Sequence, residues 1–180
     1  MKQLFILTIA IFLTVFGFAQ RYVPKNEGSS VTFAIKNFGL TVNGSFKGLQ
    51  GSIAFNPANL SIAKFNVTVN AGTVNTGNGS RDGHLKKAEY FNSATFPKIS
   101  IVSAKITNGS KAGSYLFEGI ATIKGTAKNI SFPFTAVAAN DGYQFEGSFK
   151  INRRDFKVGG SSLVLADVLT VNLKVAAIKG

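Results

Sequence analysis

Residues 143–151 read Tyr-Gln-Phe-Glu-Gly-Ser-Phe-Lys-Ile, with an apolar or small residue at every second position. Alternate side chains of an extended strand point to opposite faces, so one face of this segment avoids water and the other meets it. The same alternation recurs in residues 31–35, 65–71, 115–123, 130–136 and 169–175. With two less regular stretches, about eight strands are predicted.

Turn sequences such as Asn108-Gly109 and Asp141-Gly142 separate these segments and predict an antiparallel, all-β meander. Closing about eight strands into a barrel removes the sheet edges and leaves an interior that is either filled or holds one small ligand. A two-layer sandwich would show the same alternation, and periodicity alone does not choose between the two.

One short stretch has helical spacing, since Leu85, Ala88 and Phe91 fall three residues apart. We therefore predict a short helix over residues 83–91, with Asp82 as its N-cap. The Gly-, Asn- and Thr-rich residues 73–83 before it are predicted to be a loop, and residues 37–44 are predicted to form a bend.

The composition favours binding over chemistry. Phe supplies 17 of the 180 residues, whereas there is no Cys, no Trp and one His. The formal charge is +12, but the Lys and Arg residues are scattered and no basic helix or stacking motif is present, which argues against nucleic acid. Scattered cations are typical of solvated strand faces, and attraction to anionic lipid head groups is the alternative. We expect no cofactor and no metal, and the oligomeric state, including a homodimer, is left open.

Residues 1–19 are predicted to be a signal peptide. Lys2 precedes an apolar run over residues 4–15, and the small residues Gly17 and Ala19 occupy the cleavage positions. The alternative is an uncleaved anchor, but the run is shorter than the roughly 20 apolar residues that a spanning helix needs. The mature domain is then residues 20–180, starting at Gln20, and the protein is exported to the periplasm or secreted.

Several motifs of the mature chain resemble those of the YceI-like family. They are Ser-Ser-Val-Thr-Phe-Ala-Ile-Lys-Asn-Phe-Gly at 29–39, Gly-Ser-Phe at 44–46, Arg-Asp-Gly-His-Leu at 81–85, Glu-Tyr-Phe at 89–91, Phe-Pro-Lys-Ile at 96–99, Gly-Ile-Ala-Thr-Ile-Lys-Gly at 119–125 and Ile-Asn-Arg-Arg-Asp-Phe at 151–156. The resemblance covers nearly the whole of residues 20–180, and the pentad at 81–85 is its most specific part.

This resemblance implies an exported, elongated, eight-stranded antiparallel barrel of the lipocalin-like type. It also implies a short helix near residues 81–91 and a long apolar tunnel that can hold a polyisoprenoid chain. The sequence departs from the family at Asn37, where a His is often found, so a polar contact made by that His is not expected here.

Phe and Ile side chains in the alternating segments are the predicted walls of the ligand cavity. The wall candidates are Phe33, Ile35, Phe117, Ile123, Phe132, Phe134, Phe145 and Phe149. The alternative is that these side chains fill a solid core, because small barrels can be packed throughout. Gly119 and Gly147 lie in the same registers and would leave room for a ligand, although glycine can equally mark a bend.

Two charge-rich motifs supply the polar candidates at the cavity mouth. These candidates are Arg81, Asp82, His84, Arg153, Arg154 and Asp155. Two such motifs could face each other across one end of the barrel, where Arg and carboxylate groups either fix a loop or contact a ligand head group. Loop fixing is the interpretation we favour.

The predicted function is non-catalytic binding, storage or transport of a long apolar lipid, of the polyisoprenoid or quinone-like class. One alternative is a structural or interaction barrel with a solid core. The other is a small hydrolase using Ser80, Asp82 and His84, but proximity in sequence does not create a triad, and no Gly-x-Ser-x-Gly motif occurs. We therefore predict no catalytic residues and no metal ligands.

Overall fold

The computed structural model describes residues 20–180, which form eight strands, one α-helix and two short 3₁₀ turns. The strands are β1 (Arg21–Asn37), β2 (Leu40–Ala54), β3 (Lys64–Asn75), β4 (Lys98–Asn108), β5 (Ser114–Ile123), β6 (Thr126–Ala139), β7 (Gly142–Asn152) and β8 (Leu165–Lys179). The predicted signal peptide, with its cleavage site after Ala19, lies outside the described residues.

Each strand pairs with the next in antiparallel register, and β8 returns to pair with β1, so the sheet closes into a barrel. The β1–β8 seam is long, running from Tyr22 opposite Lys179 to Asn37 opposite Leu165. The predicted eight-stranded antiparallel barrel is thus confirmed. The sandwich alternative is wrong, because a sandwich would leave two separate sheets with free edges.

The connections between strands lie at the two ends of the barrel. We call the end that carries residues 38–39, 76–97, 124–125 and 153–164 the mouth. The opposite end, which we call the floor, carries residues 55–63, 109–113 and 140–141. Both termini of the described chain also lie at the floor, where the Gly180 amide donates to the Arg21 carbonyl at 3.1 Å.

One short helix is present as predicted, but it begins and ends earlier than its spacing indicated. Helix α1 spans Gly79–Leu85 and is followed by turns through residue 91. Its N-cap is Asn78, whose side-chain oxygen accepts from the Arg81 amide. Asp82 is therefore not the cap. The predicted loop over 73–83 is also wrong in part, since β3 continues to Asn75 and the helix covers the last five of those residues.

The predicted bend over residues 37–44 is much tighter than expected. Asn37 pairs with Leu40, so only Phe38 and Gly39 make the turn and β2 begins at once. Within residues 20–180, no helix has the length and apolar character needed to cross a bilayer.

Apolar side chains from every strand point into the barrel, but they fill it unevenly. The floor half is packed by a large buried cluster that includes Ile53, Phe55, Phe65 and Ala177. A smaller cluster near the mouth is built from Ala121, Ile123, Phe156 and Val158. The space between and above these clusters is the cavity described next.

Candidate functional site

The barrel encloses a cavity of about 630 Å³. It extends from Phe145 and Val175 in the interior to Leu85 and Val164 among the mouth loops. This volume falls within the range of roughly 300–1,000 Å³ that is typical of small-molecule sites. A barrel packed solid from end to end, one of the alternatives drawn from the sequence, does not fit this interior.

Aromatic rings close the floor end. Phe55 is almost fully buried and makes edge-to-face contacts with Tyr115, Tyr143 and Phe145, with ring centroids 5.2, 5.2 and 5.3 Å apart. Tyr22 packs edge-on against Tyr143 at 5.3 Å. Edge-to-face geometry places the positive rim of one ring against the negative face of another and fills space densely. The cavity is consequently a blind pocket that opens at the mouth.

Burial raises the pKa of the Tyr22 and Tyr115 hydroxyl groups, because the phenolate form would lose its hydration in this apolar cluster. The neighbouring Tyr143 phenol adds a smaller upward contribution to the pKa of each. Both tyrosines are therefore held neutral at the floor.

All eight predicted wall residues line the cavity. Phe132 stacks between Phe117 and Phe149, with centroid distances of 4.7 and 4.4 Å. Phe134 and Phe145 lie deeper, and Ile123 lies nearer the mouth. Phe33 and Ile35 contribute from β1. Whether these side chains contact a ligand stays a prediction.

Further lining residues were not predicted from the sequence. The apolar ones on strands are Val31, Val42, Phe46, Leu49, Ile53, Phe65, Val67, Val69, Ile99, Ile101, Ala121, Ile151, Leu165, Leu169, Val171, Leu173 and Val175, and the apolar ones in the connections at the mouth include Leu85 at the end of α1, Tyr90, Phe91, Phe156, Val158 and Val164. The strand residues share the alternation that identified the wall candidates and could have been found from it. The residues in the connections follow no common period. Phe91 reaches the wall by packing its ring edge-on against Phe46, with centroids 5.2 Å apart.

The two glycines in wall registers have different roles. Gly147 lines the cavity, and a Cβ there would lie 3.0 Å from the Phe132 ring, so the missing side chain makes room for the stacked phenylalanines. Gly119 does not line the cavity and pairs with Ser103 beside a register shift. A Cβ there would clash with the Val102 carbonyl and would lie 2.7 Å from the Phe117 ring, so this glycine allows a β-bulge and also leaves room for a wall ring.

Arg153 is buried at the mouth and fixes the loop between β7 and β8. Its guanidinium donates to the carbonyl oxygens of Val158, Gly160, Leu165 and Ala166 and to the carboxylate of Asp167, at distances of 2.8 to 3.4 Å. Although Arg153 borders the cavity, these contacts occupy its donors. The geometry favours loop fixing over head-group contact, and Asp167 is a partner that sequence reasoning missed.

Arg81 and Asp82 fix the loop before and within α1. Asp82 Oδ1 accepts from the Thr76 amide at 2.8 Å and from its hydroxyl at 2.6 Å. Arg81 donates from Nε to the Thr76 hydroxyl and from Nη2 to its carbonyl, at 2.7 and 2.9 Å. Arg81 and His84 border the cavity, whereas Asp82 does not. His84 packs its ring against Tyr90, with centroids 5.7 Å apart.

Arg154 and Asp155 are exposed and lie outside the cavity lining. Arg154 approaches Asp167 at 3.6 Å. Among residues 20–180, the ion pairs formed by these two motifs all run to Asp167, and none joins the 81–84 motif to the 153–155 motif. The two motifs were predicted to face each other across the mouth, but no ion pair of the described residues joins them.

The hydrolase alternative finds no assembled site in the described part of the chain. Asp82 is directed to Thr76, and His84 is directed to Tyr90, so Asp82 does not orient His84 toward Ser80. Within residues 20–180, no group of three or more His, Asp or Glu side chains is placed to hold a metal ion.

These features define a class of protein: a closed antiparallel β-barrel with an apolar blind pocket opening at one end. The YceI-like domain model matches residues 22–177. The chain therefore belongs to the YceI-like family. Protein YceI of Salmonella arizonae is 31% identical over 166 residues, covering 86% of this chain and 84% of the relative.

Solved structures share the fold. BcnA of Burkholderia cenocepacia superimposes with a TM-score of 0.79 at 22% identity, covering 84% of this chain and 98% of BcnA. A polyisoprenoid binding domain from Saccharophagus degradans, implicated in plant cell wall breakdown, gives a TM-score of 0.69 at 15% identity, covering 88% of this chain and 98% of that domain. At these identities the likeness establishes the barrel architecture.

Proposed function

We propose that the protein is a non-catalytic binder that stores or transports one long apolar lipid, of the polyisoprenoid or quinone-like class. The observation that carries this proposal is the blind, apolar pocket of about 630 Å³ inside a closed barrel. The S. degradans domain of the same fold, whose name states polyisoprenoid binding, supports the choice of ligand class.

The binding energy comes from removing the chain from water. Each buried methylene group contributes about 0.8 kcal/mol, and no catalytic or charged group is required for it. Phe117, Phe132 and Phe149 stack face to face, so together they present a rigid row of ring edges to a hydrocarbon chain. Such walls discriminate poorly between chains of similar length, so the class of ligand is better defined than its identity.

The lipid enters tail first, and its polar end stays at the mouth. The floor is closed by the Phe55 cluster, while Asn37, Asn78, Arg81 and His84 border the cavity among the mouth loops. Hydrogen-bond donors and a cation at the opening suit a hydroxyl, carbonyl or phosphate head group. A lipid in the opposite orientation would bury that head group among aromatic rings without partners.

The proposed function also includes export of the protein from the cytoplasm. Strand β1 begins at Arg21, one residue beyond Gln20, the first residue after the proposed cleavage position, so removal of residues 1–19 leaves every strand of the barrel intact. The mature protein would then meet its ligand in the periplasm or outside the cell. The intact mass of protein recovered from the exported fraction should correspond to a chain starting at Gln20.

The test is lipid retention by a variant with a smaller pocket. Val171 lines the cavity on β8, so Val171→Phe should fill part of the space without adding a charge. The wild-type protein, purified from its native host, should release an isoprenoid-class lipid on organic extraction and show one bound lipid per chain by native mass spectrometry. Val171→Phe should retain at least about tenfold less, since the tail loses several methylene contacts.

Val137→Phe is the matched control, because Val137 is 60% exposed on the outside of the barrel. It should retain lipid like the wild type. Absence of any lipid from native protein, together with no uptake of a polyprenol added in detergent, would contradict the proposal and favour an interaction barrel. Hydrolysis of a lipid ester that is lost in Ser80→Ala would instead favour the enzyme alternative.

A further inference from the structure

The largest exposed apolar side chains of the described residues gather at the mouth. Phe38 is 74% exposed, Leu40 is 73% exposed and Leu163 is fully exposed at 106%. Phe38 lies in the β1–β2 turn, Leu40 begins β2 directly after it, and Leu163 belongs to the β7–β8 loop. The two segments are joined by a hydrogen bond from the Phe38 amide to the Val164 carbonyl at 2.9 Å. We call Phe38, Leu40, Leu163 and Val164 the apolar rim.

Phe38 has a strained backbone conformation. Asn37 pairs with Leu40, so Phe38 and Gly39 form a two-residue turn in which both have positive φ, +50° and +75°. Such turns favour Asn, Asp or Gly at the first position, because a bulky side chain is strained there. The equivalent positions of the other two-residue turns hold the polar residues Lys124 and Asn140. An exposed aromatic ring at a strained position points to a role outside folding.

The rim is continuous with the cavity. Val164 belongs to both, and the next residue, Leu165, also lines the cavity. An apolar molecule leaving the pocket past Val164 therefore meets exposed apolar surface before it meets water. Whatever covers the rim would connect directly to the pocket.

The charge of the mouth differs from that of the floor. The mouth segments carry seven cationic residues, Arg81, Lys86, Lys87, Lys124, Arg153, Arg154 and Lys157, against three acidic ones, Asp82, Glu89 and Asp155. The floor segments carry one of each sign, Lys111 and Asp141. Arg153 and Arg154 pair with Asp167, but Lys86 and Lys87 are exposed. The loops thus keep a net positive charge at the end of the barrel that also carries the apolar rim.

We propose that the mouth docks on an anionic lipid bilayer, with the apolar rim inserted at the interface and Lys86 and Lys87 over the head groups. Apolar and aromatic side chains beside exposed cations are the combination that binds peripheral proteins to anionic membranes. Docking in this orientation would let a tail pass between bilayer and pocket without crossing water. The inference goes beyond the proposed function, and docking can be tested without any pocket ligand.

The experiment is flotation of purified protein with vesicles that contain no isoprenoid. Vesicles of equal parts phosphatidylglycerol and phosphatidylcholine should bind the wild type, and binding should fall with added salt. The double variant Phe38→Asn, Leu163→Ser should bind at least about tenfold more weakly, because two apolar side chains no longer leave water. Lys86→Gln, Lys87→Gln should also lose about tenfold, from two cations near the surface.

Matched controls lie away from the mouth. Val137→Ser removes an exposed apolar side chain from β6 in the floor half, and Lys111→Gln removes a floor cation; both should bind like the wild type. All proteins compared carry the same N-terminus, so any contribution of residues 1–19 cancels. Equal binding by wild type and rim variant would overturn the proposal. So would a wild-type dimer that the rim variant converts to monomer without weakening vesicle binding, since the rim would then join two copies.

Discussion

At the residue scale, side chains of the same type differ in burial and in contacts between the wall and the mouth. Phe132 packs on both faces against other rings, whereas Phe38 is largely exposed in a turn. Arg153 is buried with its donors occupied, whereas its neighbour Arg154 is exposed. Each pair places the same residue type in a buried and an exposed position. The same type of experiment on both members therefore measures the contribution of burial to stability.

Phe132→Ala should lower the free energy of unfolding by about 3 kcal/mol, because it removes a buried ring and two stacking contacts. Urea unfolding of the lipid-free protein measures this loss. Phe38→Asn is the comparison: it removes an exposed ring and places a residue suited to positive φ in the turn, so stability should be unchanged or slightly higher. Equal losses in the two variants would contradict the assignment of Phe132 to the packed wall.

Arg153→Met should destabilise the protein by about 3 kcal/mol, since four carbonyl groups and Asp167 lose their charged donor. Arg154→Met should change stability by less than about 1 kcal/mol, because an exposed ion pair at 3.6 Å contributes little. Thermal unfolding of both variants at matched pH gives the comparison. A large effect at Arg154 with none at Arg153 would show that the loop is held differently.

At the scale of single elements, the strands follow from the sequence and the loops largely do not. Burial of one face imposes a period of two, which is why residues 143–151 predicted β7 (Gly142–Asn152) so closely. Asn78 and Asp82 are both suitable N-caps, and the choice depends on Thr76, whose amide and hydroxyl bind the Asp82 carboxylate. A spacing rule cannot detect that competition.

The same distinction holds for the candidate site, where residues on strands could be predicted from the sequence and residues on loops could not. Strand residues such as Phe149 were predictable from alternation, whereas Phe91 reaches the wall only through a loop whose path depends on tertiary packing. The partner of Arg153 could not be found either, because Asp167 lies 14 positions away across an irregular segment. Closure of the barrel was expected from family resemblance, since a period of two is compatible with a sandwich as well.

The aromatic floor should make stability depend on alkaline pH. Tyr22 and Tyr115 have raised pKa values in the folded protein, so the stability that they contribute is fully present below the ordinary value of 10.0 and is lost as the pH rises through the folded-state pKa. Urea unfolding at about pH 8 and about pH 11 should show this loss, and Tyr22→Phe, Tyr115→Phe should reduce it.

Tyr90→Phe, which alters a tyrosine at the mouth, serves as the control and should leave the alkaline loss as it is in the wild type. If the floor variant lost as much stability between the two pH values as the wild type does, the neutral tyrosines would not be responsible.

At the scale of the whole molecule, the barrel is dense at one end and hollow toward the other. The floor half is packed by the Phe55 and Phe65 cluster, whereas the upper walls face the cavity. Local opening depends on how many packed contacts must break. Backbone amides of β5 near Tyr115 should therefore exchange with deuterium more slowly than amides of the same strand near Ile123.

Hydrogen exchange followed by mass spectrometry of short peptides measures this gradient. Bound lipid should slow exchange mainly in the mouth half, because the tail replaces missing packing there. A uniform exchange rate along β5 in the lipid-free protein would contradict the division into a dense and a hollow half.

The two ends of the described residues meet at the floor, where the Gly180 amide donates to the Arg21 carbonyl, and this has a practical consequence for attaching the molecule. An affinity tag, a flexible linker or a fused domain attached before Gln20 or after Gly180 leaves the barrel at the floor and stays away from the mouth. Two barrels joined in tandem by a short linker would therefore share a closed base and present two independent entrances. Immobilised through either end, the protein would offer its entrance freely to the surrounding solution.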